Sequence, residues 1–148
     1  MLLHIDADAF FAAVEQAADA RLRGKPVGVG GGQRGVITSA SYEARRFGVT
    51  GAMPTARARL LCPKLIVVPP DFEKYELFSR RLFSYAHDFT PMVEVGSIDE
   101  GYLDLSGCRG KSPGDIGQTI GRAVQRSLRS RFPRGSDGIS WFLRSPRR

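Results

Sequence analysis

The stretch Met92-Val93-Glu94-Val95-Gly96-Ser97-Ile98-Asp99-Glu100-Gly101-Tyr102-Leu103-Asp104-Leu105 decides the fold. Apolar residues alternate with polar ones on both sides of an acidic centre, the pattern of two strands folded back on each other. Met92 to Ile98 reads as the outgoing strand, Asp99-Glu100-Gly101 as the turn and Tyr102 to Leu105 as the returning strand. A lone hairpin is marginal in water, so this one needs further strands or helices to cover its apolar side.

Helices flank it on both sides. Upstream, Asp71 is placed to cap a helix on which Phe72, Tyr75, Phe78, Leu82, Tyr85 and Phe89 recur at helical spacing. That aromatic stripe reads as core, and Thr90-Pro91 ends it. Downstream, Ser112-Pro113 opens another helix, with Asp115 completing a capping box. Its apolar face is Ile116, Ile120, Val124, Leu128 and Phe132.

At the N-terminus, Met1 to Asp6 is a short apolar run ending in an acid, as in a buried strand that delivers a carboxylate at its end. Asp8 is expected to cap a helix carrying Phe10, Phe11, Val14 and Ala18, stopped by Gly24 and Pro26. Strands are expected at Val27 to Val29, Val36 to Thr38 and Leu65 to Val68, with helices over Ala40 to Phe47 and Pro54 to Leu61. The glycine run Gly30-Gly31-Gly32 lacks the Gly-Lys-Ser/Thr ending of a phosphate loop and reads as a strand connection. The order of elements predicts an α+β fold: a ferredoxin-like split βαβ sheet with a mostly helical insertion. From Arg129 onward periodicity fades. Arg129, Arg131, Arg134, Arg144, Arg147 and Arg148 face one acid, Asp137, so an irregular basic tail is expected over 129–148.

The 148 residues carry 22 Lys plus Arg against 15 Asp plus Glu, a net charge of +7 that suits a polyanionic partner. Cys62 and Cys108 are far apart, which excludes a disulfide framework and a thiolate zinc site. No run approaches the length needed to cross a bilayer and no leader precedes His4-Ile5-Asp6, so a cytoplasmic protein with no membrane partner is expected. His4 and His87 lack metal-ligand spacing and read as structural.

Three acids stand out: Asp6 at the end of the first strand, and Asp99 and Glu100 at the hairpin. Brought to one sheet edge, they would repel and raise each other's pKa unless cations neutralised them. Mg²⁺ is the natural occupant, and a pair of such ions can stabilise the attacking and leaving oxygens of a phosphoryl displacement. Any one of these acids alone would read as an ordinary exposed strand-end residue; the surrounding residues distinguish them.

His4-Ile5-Asp6-Ala7-Asp8-Ala9-Phe10-Phe11-Ala12-Ala13-Val14-Glu15-Gln16 resembles the opening motif of the Y-family DNA polymerases, the DNA polymerase IV and UmuC-like group. Ser41-Tyr42-Glu43-Ala44-Arg45-Arg46-Phe47-Gly48-Val49 is similar to their fingers motif, and Ser97 to Leu105 to their catalytic hairpin. The resemblance covers residues 1–128. It implies a translesion DNA-directed DNA polymerase that acts with Mg²⁺ (two ions, with Mn²⁺ as a substitute) on primer–template DNA and dNTPs. It implies a palm from residues 1–10 and 72–128, fingers from 11–71 and a divergent tail over 129–148. Asp6, Asp99 and Glu100 would hold the metals, together with the backbone carbonyl of Ala7. Phe11 would be the steric gate against a 2′-hydroxyl, with Phe10 beside it. Tyr42 and Arg45 would grip the triphosphate, with Ser39 nearby.

The chain departs from the family in its last part. The stretch Gly138-Ile139-Ser140-Trp141-Phe142-Leu143-Arg144 is followed by no lysine for the triphosphate, and a thumb, a duplex-gripping domain and a sliding-clamp segment are not expected. Two other functions compete with polymerisation. One is an inactive remnant or a DNA- or nucleotide-binding module. The other is a nucleotide cyclase, which shares the sheet but carries a Gly-Gly-Asp/Glu-type turn unlike Ser97-Ile98-Asp99-Glu100.

Overall fold

The computed structural model describes residues 1–131 and 142–144. In chain order its elements are β1 (Leu2–Asp6), α1 (Phe10–Ala18), a 3₁₀ turn (Ala20–Leu22), β2 (Val27–Gly30), β3 (Ile37–Ala40), α2 (Tyr42–Arg45), α3 (Thr55–Leu61), β4 (Ile66–Val68), α4 (Phe72–His87), β5 (Val93–Val95), β6 (Glu100–Asp104), α5 (Pro113–Arg131) and β7 (Phe142–Arg144). They divide into two compact units. One holds Met1–Asp8, Glu73–Arg131 and the strand β7; the other holds Ala9–Phe72.

The first unit is a sheet in the order β5-β6-β1-β7, every neighbouring pair antiparallel. Taken with α4 and α5, this is the βαββαβ order of a ferredoxin-like fold, with two helical crossovers and the first strand inside the sheet. The sheet has two unlike faces because side chains alternate along each strand. Leu3 and Ile5 of β1 and Leu103 of β6 are buried on one side. α5 lies against β1 and β7, and presents buried Ile116, Ile120 and Val124. Each such side chain contributes about 1.5–3 kcal/mol through removal from water. α4 comes so close to β6 that a Cβ on Gly101 would stand 2.5 Å from Cε1 of Phe83.

The aromatic stripe of α4 is core at Tyr75, Phe78 and Leu82, as its spacing requires, whereas Phe72 is exposed. The capping box of α5 is formed: Ser112 Oγ accepts from the Asp115 amide at 3.1 Å, and the Ser112 amide donates back to Asp115 Oδ2 at 3.3 Å.

The second unit is built on a three-stranded sheet, β3-β2-β4, antiparallel between β2 and β3 and parallel between β2 and β4. All of β2 is buried, and α1 covers β2 and β3. Ile37, Ala40, Ala44, Val49, Ala58, Cys62 and Leu65 form its core. Cys62 is a small buried apolar side chain there.

Several expected elements change. Asp8 does not cap α1: the cap position is Ala9, left-handed at φ 50°, with no side-chain cap bond. The second strand of this unit is Ile37–Ala40 rather than Val36 to Thr38, and α2 is only Tyr42–Arg45. The hairpin turn lies earlier than expected, so Glu100 opens β6 instead of sitting in the turn. The Glu100 carbonyl closes the turn by accepting from the amides of Gly96 (2.9 Å) and Ser97 (3.0 Å).

The expected irregular tail is partly regular. α5 continues to Arg131, and Phe142–Arg144 pairs with β1 as an edge strand. Phe132, Trp141 and the stretch from Gly138 up to Trp141 lie outside the described residues, and so does the side chain of Leu128. Among the described residues no helix is long and apolar enough to cross a membrane.

Candidate functional site

Antiparallel pairing places Asp6, the last residue of β1, directly opposite Glu100, the first of β6. Residues so paired point to the same face, with Cβ atoms roughly 4.5–5.5 Å apart. One residue on, the Ala7 amide donates to the Asp99 carbonyl at 2.9 Å, which ties the end of β1 to the hairpin turn. All three sequence-predicted acids therefore belong to one corner of one sheet.

This corner lies on the face of the sheet opposite Leu3, Ile5 and Leu103. Alternation puts His4 beside Asp6 on β1, Tyr102 beside Glu100 on β6, and Glu94 across from Tyr102 on β5. His4 and Tyr102 are register partners, and their rings stack at 4.6 Å with a 16° interplanar angle. His4 Nε2–H donates to Glu100 Oε1 at 2.9 Å, and the Tyr102 hydroxyl donates to the same oxygen at 3.3 Å. Ser97 Oγ donates to Asp99 Oδ1 at 2.8 Å. Asp6 accepts no side-chain hydrogen bond from the described residues.

The face is electronegative although the chain is cationic overall. The Tyr102 hydroxyl titrates above its ordinary value, first through desolvation and then through Glu100, Glu94 and Asp6, which all disfavour a phenolate.

Hard oxygen donors are what Mg²⁺ requires, and Asp6, Asp99 Oδ2 and Glu100 Oε2 carry no hydrogen bond from the described residues. The donor set fits such an ion. Among the described residues, however, no three His, Cys, Asp or Glu side chains are already gathered into a metal-holding group.

The other sequence-predicted residues belong to the second unit. Phe10 is buried, so it is core, while Phe11 is half-buried, with its ring 5.8 Å from the exposed Phe72 in an edge-on contact. Tyr42 and Arg45 lie on the short helix α2, with the guanidinium carbon 5.5 Å from the centre of the tyrosine ring. Arg45 Nε–H donates to the Ala40 carbonyl at 3.1 Å, which holds the stem while the residue stays exposed.

Ser41 anchors this helix. Its buried hydroxyl accepts from the Ala44 amide at 3.3 Å and from the Val27 amide at 2.9 Å, joining α2 to β2. Ser39 Oγ accepts from the Ala12 amide at 3.2 Å and so secures the first turn of α1.

Sequence reasoning left His4 and Tyr102 out of the site. The usable signal was period two: His4 and Asp6, like Glu100 and Tyr102, share a face of any strand that contains them.

The sequence and the fold both have counterparts among known proteins. DNA polymerase IV of Bacillus velezensis is 49% identical over 109 residues, which are 72% of this chain and 26% of that protein. DNA polymerase IV 2 of Mesorhizobium japonicum is 48% identical over 129 residues, 86% of this chain and 30% of that protein. The crystal structure of DinB from Sulfolobus solfataricus superposes with a TM-score of 0.77 at 30% identity, covering 99% of this chain and 42% of that one. The insertion ternary complex of Dbh DNA polymerase gives 0.76 at 30% identity, covering 96% and 41%. The chain thus spans less than half the length of each of these relatives. A sequence profile described as the impB/mucB/samB family matches residues 5–136. The chain belongs to the impB/mucB/samB family, and with it to the Y-family, DNA polymerase IV-like group that its motifs resemble.

Proposed function

We propose that these residues carry the nucleotidyl-transfer chemistry of a translesion DNA-directed DNA polymerase, which adds dNTPs to a primer on template DNA. The observation that carries the reading is the corner itself. Asp6 and Glu100 are register partners and the Ala7 amide is bonded to the Asp99 carbonyl, on an electronegative face of a +7 chain. Family membership supports it, and so does likeness to an insertion ternary complex of Dbh DNA polymerase.

In this reading Asp6, Asp99 and Glu100, with the Ala7 carbonyl, hold two Mg²⁺ ions or Mn²⁺ in their place. Bound there, the ions would offset the negative charge that develops on the reacting phosphate and its leaving group. The protein supplies orientation. β1 and β6 fix two carboxylates by strand pairing, and Ser97 fixes the third. Phe11 excludes a 2′-hydroxyl by its bulk, and Phe10 backs it from the core. The Arg45 guanidinium suits phosphate oxygens, and Tyr42 stands beside it. Ser39 acts through the first turn of α1. Residues 1–10 and 72–128 are assigned the palm role and 11–71 the fingers role. A cytoplasmic, DNA-associated protein follows from this activity and from the excess of basic residues.

One observation favours the second reading, a DNA- or nucleotide-binding module without catalysis. Glu100 Oε1 and Asp99 Oδ1 are both already engaged by protein donors. Primer extension by the 148-residue chain on a primed template, in Mg²⁺ and in Mn²⁺, separates the two. The polymerase reading expects extension that Asp99→Ala abolishes. Equal products from both proteins at high enzyme concentration, or none from either, would sink it in favour of the binding module.

A further inference from the structure

We propose that His4 is a positioning residue for the Glu100 carboxylate, an inference that rests on reading Asp6, Asp99 and Glu100 as cation ligands. A glutamate at the start of an edge-proximal strand has freedom in all its side-chain torsions. Here two donors meet at one of its oxygens. His4 Nε2–H reaches Oε1 at 2.9 Å and the Tyr102 hydroxyl reaches the same atom at 3.3 Å. The other oxygen, Oε2, receives no hydrogen bond from the described residues and is left for a cation.

The donors are themselves held. The His4 ring stacks on Tyr102 at 4.6 Å, nearly parallel, and β1 pairs His4 with Tyr102 as it pairs Asp6 with Glu100. One pair of strands therefore sets four side chains: two that carry charge toward a metal and two that orient one of those charges. The His4 side chain is 18% exposed and that of Glu100 41%, so the bond lies partly shielded behind a reachable carboxylate. Hydrogen bonds that orient metal-binding side chains commonly govern affinity by about tenfold or more. His4 reaches Glu100 across a separation of 96 residues, so the contact exists only in the folded sheet.

The test is direct Mn²⁺ binding by the 148-residue chain, followed by paramagnetic resonance of the free ion, without any activity assay. His4→Phe keeps a ring on Tyr102 and deletes the donor; it should weaken Mn²⁺ binding by about tenfold. His4→Gln, whose amide can donate to the same oxygen, should retain most of the affinity. A role confined to packing would lower thermal stability and leave the affinity of the folded protein unchanged. Should His4→Phe not fold, His4→Asn carries the test, since its shorter amide falls short of Glu100 and the same loss is expected. Wild-type affinity in either of these variants, alongside a clear loss in Asp99→Ala, overturns the positioning role alone. Undiminished binding in Asp99→Ala as well removes the cation site, and the inference with it.

Discussion

Asp6 and Glu100 are direct partners across the β1–β6 ladder, two acids facing the same way where the two inner strands of a sheet meet its end. Like charges so placed oppose folding, by up to about 1 kcal/mol for a cross-strand pair. Under the proposed reading, a cation bound between them would offset that cost.

Replacing Asp6 by Asn removes one charge and no hydrogen bond from the described residues. In metal-free buffer Asp6→Asn should therefore be more stable than the parent, by about 0.5–1 kcal/mol, and it should fail to extend a primer. Urea denaturation in the presence of a chelator reads the first effect. Equal or lower stability would mean that the pair is not repulsive in the folded protein.

Gly101 follows Glu100 and has no room for a side chain. A Cβ there would lie 2.5 Å from Cε1 of Phe83 and 2.9 Å from the Glu94 carbonyl. Gly101→Ala should cost about 1–3 kcal/mol through overpacking, and it should tilt β6 where it delivers Glu100. Gly101→Ala with Phe83→Leu should recover part of that stability. A Gly101→Ala protein as stable as the parent in chemical denaturation would show that α4 yields freely.

The readable parts of this fold are those whose signals are local. The capping box at Ser112 and Asp115, the four-residue step of Ile116, Ile120 and Val124, and the stripe Tyr75, Phe78 and Leu82 all appear where the sequence puts them. The three acids could be read as a group only because their flanking motifs are distinctive. Turn placement was less legible. Period-two alternation in the hairpin fits a turn at residues 96–99 as well as one at 99–101, and carbonyl bonding by Glu100 decides it. Ala9 at φ 50° has no sequence signature, since alanine rarely takes that conformation, and so Asp8 looked like the cap. β7 is three residues long and pairs with β1 across almost the whole chain. Such long-range pairing is invisible to any local pattern, and the same holds for the bond between His4 and Glu100.

Phe10 and Phe11 separate by burial. Phe10 is 3% exposed and fills the core, whereas Phe11 is half-buried and contacts Phe72 edge-on. If Phe11 is the gate, Phe11→Ala should raise ribonucleotide incorporation relative to deoxynucleotide by about a hundredfold, the scale at which a lost steric exclusion changes selectivity. Phe10→Ala should instead destabilise the protein by about 3–5 kcal/mol. Single-nucleotide insertion with matched dNTP and rNTP measures the ratio, and an unchanged ratio in Phe11→Ala would remove the gate assignment.

Asp104 offers a pH probe at the opposite end of the β1–β6 ladder from Asp6 and Glu100. Its carboxyl is held below its ordinary value of 3.8, chiefly by the Ser106 hydroxyl, then by the Ser106 amide and, more weakly, by the N-terminal ammonium. A depressed carboxyl stabilises the fold above its unfolded value, and that contribution disappears as the pH falls through the folded one. Ser106→Ala deletes the largest cause and leaves the amide bond at 2.8 Å in place. The Asp104 midpoint should then rise toward 3.8, and the acid loss of stability should become smaller and finish at a higher pH. Carbon-detected NMR titration of the Asp104 carboxyl reads the midpoint directly. If it stays where it was in the parent, the hydroxyl is not what holds this charge, and the amide and the ammonium must do so instead.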